Sequence, residues 1–99
     1  MITVDAVRSR VRNSFETIVS DLVGLVAIPS VSASSHDQSQ VARSAEHVAG
    51  LLRETGLEAR VLSAPGPDGA PGRPAVLAHA DGPAGAPHVL LYAHHDVQP

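Results

Sequence analysis

The chain has no cysteine, no lysine and no tryptophan, and only one phenylalanine and one tyrosine among its 99 residues. Without cysteine there are no disulfides and no thiolate metal sites, and the redox compartment stays open. Seven arginines stand against ten acidic residues, a formal net charge of −3. No basic stripe forms, and two aromatic residues make no platform for stacked bases, so nucleic acid is not an expected partner. No apolar run approaches the ~18 residues a membrane span needs. The start, Met1 to Arg8, lacks a basic segment followed by an apolar core and a cleavage site. These absences lead to the expectation of a cytoplasmic protein with no membrane partner. The length suits one small domain or part of a larger one.

What is present begins with a helical period. Val4, Val7, Val11, Phe15, Ile18, Leu22 and Val26 recur at spacings of three and four, which predicts one helix over 4–27. Thr3 is a candidate N-cap, and Pro29 biases Ile28 away from helical dihedrals. The stripe also suits a coiled-coil seam, but it runs for only three heptads, and the β-branched residues scattered off it favour packing on a sheet. Residues 28–35 read as a loop. Ser35-His-Asp-Gln38 fits a capping box, with Ser39 an equal alternative, for a second helix over about 38–55. Its apolar face is Val41, Ala45, Val48, Leu51 and Leu52, and Gly56 suits a left-handed helix end. Strands are expected within 57–63, 74–80 and 89–93. The Pro/Gly-rich stretch 64–72 reads as a loop that holds no ladder. The short link at 81–87 predicts a hairpin between the second and third strands. The fold class is therefore α/β, with two helices and about three strands of a mixed sheet.

The chemistry gathers in the last residues. Val89 to Ala93 is a short apolar run without alternation, as in a strand covered on both faces. His94, His95 and Asp96 follow it. Strand ends of this kind are where α/β proteins place their sites. Residues i and i+2 of a strand share a side, so His94 and Asp96 face one cavity and His95 faces away. A neutral imidazole is a good zinc ligand, and a nearby carboxylate can fix its tautomer. On spacing alone, a histidine bonded locally to a carboxylate is the better reading, because His-x-Asp occurs often by chance and one imidazole is not a metal site. His95, His88, His36 and His47 read as structural or surface residues, and His79 as a sheet-pairing one. Ser30, Ser32, Ser34 and Ser35 lack a nucleophile elbow and read as loop caps.

Leu90-Leu-Tyr-Ala-His-His-Asp-Val-Gln-Pro99 resembles the strand and His-x-Asp signature of the co-catalytic zinc metallopeptidases. That family includes carnosinase-like dipeptidases, carboxypeptidase G, aminoacylase and succinyl-diaminopimelate desuccinylase, and Val97-Gln-Pro99 is most like its dipeptidase branch. Leu22-Val-Gly-Leu-Val-Ala-Ile-Pro-Ser-Val-Ser32 is similar to the exit of the family's first helix. The resemblance implies that His94 is a metal ligand and that Asp96 is the catalytic-site aspartate orienting it. It implies a pair of zinc ions (manganese or cobalt as alternatives) activating water against a peptide or N-acyl amino acid substrate. It further implies that residues 1–99 are the N-terminal part of the catalytic domain, inactive alone. The other ligands, the general base and the lid domain through which the family dimerises would lie elsewhere. The competing expectations are a non-catalytic α/β module that acts by pairing with another chain, and an unrelated α/β domain with an accidental His-x-Asp.

Overall fold

Two helices stand where the periodicity predicts one. The computed structural model describes residues 1–99. Helix α1 spans Val4–Asn13 and α2 spans Phe15–Val26. Thr3 caps α1, its hydroxyl oxygen accepting from the Ala6 amide at 3.1 Å. Ser14 leaves helical dihedrals, at φ −99° and ψ 2°. Asn13 and Ser14 are both weak helix formers, and neither helix packs on the sheet to override them. Neither helix buries a residue.

Helix α3 spans Gln38–Glu54. Its cap is Asp37, not Ser35. The Asp37 carboxylate accepts from the Ser39 amide at 3.0 Å and the Ser39 hydroxyl at 2.7 Å. A charged acceptor with two donors outcompetes a lone hydroxyl. Gln38 does reach back, but its amide donates to the Ala33 and His36 carbonyls at 2.8 and 2.9 Å. At the other end Gly56 sits at φ 90°. The Gly56 and Leu57 amides donate to the Arg53 and Leu52 carbonyls at 3.0 and 3.3 Å, closing the helix as a Schellman motif.

Strands β1 (Glu58–Leu62) and β2 (Ala75–His79) pair antiparallel, with Ala59 opposite Ala78 and Val61 opposite Val76. These four residues are half-buried while their neighbours along each strand are exposed, a period of two. Helix α3 packs on this sheet. Two strands ~4.8 Å apart offer a face about one helix wide. That explains why the α1–α2 stripe does not lie on the sheet, contrary to expectation.

The predicted pairing of 74–80 with 89–93 does not occur, and the sheet has two strands, not three. Val89 to Ala93 joins no ladder, and Val89 to Tyr92 are 78–90% exposed rather than covered. An apolar run demands a partner without specifying one, and here the second edge of β2 stays unpaired. The connection 63–74 instead carries the hairpin further than its prolines suggest. Gly72 donates to the Ala64 carbonyl and Gly66 to the Ala70 carbonyl, each at 2.7 Å, around a single Pro65–Pro71 bridge. Glycine supplies the N–H groups that proline lacks. A Cβ on Gly72 would lie 2.5 Å from the Ala64 oxygen, so only glycine fits.

The result is a small mixed α/β fold. Its core is Ile28, Val31, Val41, Ala45 and Ala49, with Ser30 and Ser44 buried among them. No helix is long and apolar enough to cross a membrane.

Candidate functional site

The closing segment 94–97 is anchored by three parts of the chain. The 28–32 loop lies against it because Pro29 ends the helical region and turns Ile28 and Val31 into the core. From that loop the Ser30 carbonyl accepts from the Val97 amide at 3.2 Å. The Ser32 hydroxyl donates to Asp96 Oδ2 at 2.7 Å. From α3, Ser44 Oγ lies 2.9 Å from His95 Nδ1 and 3.1 Å from the His95 carbonyl. From the approach to β2, the Pro74 carbonyl lies 3.1 Å from His95 Nε2. Arg73 Nε donates to the Ser32 carbonyl at 3.0 Å, tying that approach to the loop.

His94 and Asp96 meet, although the segment holding them is not a strand. His94 Nδ1 lies 3.0 Å from Asp96 Oδ1 and 3.1 Å from the Asp96 carbonyl. A carboxylate and a carbonyl only accept, so Nδ1 carries the proton. In the neutral ring Nε2 then holds the lone pair. It has no hydrogen-bond partner within the chain, and the His94 side chain is 72% exposed. The Asp96 carboxyl is held below its ordinary range. The Ser32 hydroxyl is the main cause, burial opposes it, and His94 adds a smaller lowering. Oδ2 is fixed by Ser32 while Oδ1 fixes the imidazole.

His95 turns to the other side, as alternation predicts. Its Nε2 faces a carbonyl and therefore donates, leaving Nδ1 to take the Ser44 proton in the neutral ring. Neighbouring histidines thus hold opposite tautomers. Both ring nitrogens of His95 are engaged, so it is a structural residue and presents no free ligand atom. His79 ends β2 opposite Glu58 and approaches Asp81 at 3.6 Å in an exposed pair.

Sequence reasoning missed Ser44 and underused Ser30 and Ser32. One signal was available for Ser44: it lies between Val41 and Ala45 on the apolar face of α3, where a polar residue needs a reason. Nothing local points to Ser30 or Ser32, whose partners lie 65 and 64 residues away.

A catalytic zinc takes about three protein ligands. No group of three or more His, Cys, Asp or Glu side chains is placed to hold a metal ion. His94 with Asp96 fits one liganding imidazole and its orienting carboxylate, but this chain's residues do not assemble a complete metal site. Comparisons of the chain with family models, with curated proteins and with solved structures find no match.

Proposed function

We propose that this chain carries the first metal-liganding imidazole, His94, and its orienting carboxylate, Asp96, of a metal-dependent peptidase that hydrolyses dipeptides or related small amides. The observation that supports the reading is the His94–Asp96 contact. Nδ1 is committed to a carboxylate that Ser32 fixes from behind, and Nε2 is left outward and free. Metal-bound histidines are commonly held this way. Zinc, when bound, would activate water for attack on the amide carbonyl. With one ligand set in place, the 99-residue chain does not turn over dipeptides by itself.

Zinc titration followed by imidazole NMR tests the reading. The expected result is weak binding at His94 Nε2, lost in His94→Ala and weakened about 10–100-fold in Asp96→Asn. Zinc shifts spread equally over the other exposed histidines, His36, His47, His79 and His88, would overturn it. A dipeptidase assay with added zinc or manganese should give no turnover. Clear turnover abolished by His94→Ala would sink the claim that the chain is inactive alone.

One observation favours a second reading, a non-catalytic module that pairs with another chain. The run Val89 to Tyr92 is apolar, unpaired and exposed, and such a segment invites strand addition. Self-association abolished by Leu91→Lys would favour that reading.

A further inference from the structure

Two Asp-Gly pairs occur in the chain, Asp68-Gly69 and Asp81-Gly82. In such a pair the glycine amide nitrogen can attack the aspartate side-chain carboxyl carbon, because the glycine has no Cβ to obstruct the approach. Two conditions decide whether the attack proceeds. The nitrogen must be free of a hydrogen bond, and the backbone must be able to rotate until the nitrogen meets Cγ.

The first pair fails both conditions. The Gly69 amide donates to the Gly66 carbonyl at 2.9 Å, and Asp68 Oδ1 accepts from the Ala70 amide at 3.0 Å. Gly69 is set at φ 79° in the turn that these bonds close. Asn13-Ser14 could react in the same way with loss of ammonia, but there the Ser14 amide donates to the Arg10 carbonyl at 3.0 Å.

The second pair meets both. Residues 80–83 form no helix, strand or turn, and the Gly82 amide donates to no group of the chain. The Asp81 side chain is 96% exposed and meets only His79, in an ion pair at 3.6 Å. An exposed pair of that kind contributes little and does not hold the carboxyl in place.

We propose that Asp81-Gly82 is a self-modification site, where the chain closes a succinimide and then opens it to an isoaspartyl linkage. The Gly82 nitrogen loses its proton and bonds to Asp81 Cγ. The carboxyl C–OH bond breaks, and the hydroxyl leaves with that proton as water. A second water then adds at the ring's α-carbonyl and breaks that carbon's bond to the Gly82 nitrogen. The main chain now runs through Cβ and Cγ, one methylene longer, and the Asp81 α-carboxylate stands free. That carboxylate is the group that an isoaspartyl carboxyl methyltransferase accepts, with S-adenosylmethionine as the methyl donor. The added methylene falls in the connection between β2 and the exposed run at 89–92. The step needs no metal and none of the residues of the His94 site.

Ageing the full chain at neutral pH tests the proposal. Mass spectrometry should show a species lacking one water, then an isomer of the original mass that takes up a methyl group from S-adenosylmethionine when an isoaspartyl methyltransferase is added. Fragmentation should place the product at residue 81. Asp81→Glu should abolish it on the same timescale, because the six-membered imide closes far more slowly. In Gly82→Ala the new Cβ would meet only the Ala86 Cβ, at 3.8 Å, an ordinary contact. That variant should keep the circular dichroism of the original and form the product several-fold more slowly. Urea should raise the yield at residue 68 toward that at 81, because unfolding frees the Gly69 amide. Equal yields at the two pairs in the folded chain, a product confined to residue 68 or 13, or no isoaspartate at residue 81 would each overturn the proposal.

Discussion

Ser32 links the chemistry of Asp96 to a distant part of the chain. Its hydroxyl is the main reason the Asp96 carboxyl sits below its ordinary range. Removing the hydroxyl takes away a donor that favours the charged form. Ser32→Ala should therefore raise the Asp96 pKa toward the ordinary value of 3.8, and a carbon-13 NMR titration of the carboxyl reads that shift directly. The imidazole of His94 should become more mobile in the same variant, because Asp96 loses the contact that fixes its other oxygen. Of this cluster, His94 and Asp96 were legible in the sequence because they are two residues apart. Ser30, Ser32 and Ser44 were not, since a hydroxyl's role depends on a partner some fifty to sixty-five residues away.

The elements follow local signals where the signal is self-contained. Thr3, Gly56 and Pro29 each end or begin a helix as their chemistry demands. Asp37 is the informative exception, because its carboxylate displaces the predicted Ser35 cap. The Ser39 hydroxyl, then the Ser39 amide, hold the Asp37 carboxyl below 3.8. A folded-state value below the unfolded one means that the charged cap stabilises α3 above about pH 4. That stabilisation is lost as pH falls through the lower, folded value. Helicity measured by circular dichroism should fall in that acid window. In Asp37→Asn, which keeps a capping oxygen without a titrating group, that component of the fall should vanish.

At the scale of the molecule, seven of 99 residues are buried. The radius of gyration is 16.2 Å, against about 13 Å for a compact chain of this length. The core is one face of α3, the loop 28–31 and one face of the hairpin. Val41, 2% exposed, lies within it. Val41→Ala should cost about 2 kcal/mol from the two methyl groups lost, a large share of a marginal stability. Urea denaturation should show the midpoint shift. What the sequence determined by itself were the pieces whose causes lie within a few residues: caps, helix ends, the period-two strands β1 and β2, and the His94–Asp96 adjacency. The tertiary structure alone decided that β2 pairs with β1, that α3 rather than α1–α2 covers the sheet, and that His95 is wired to Ser44 and Pro74. The physical reason is that an apolar pattern states how much surface seeks burial. Which surface satisfies it depends on the competition among every face the folded chain presents.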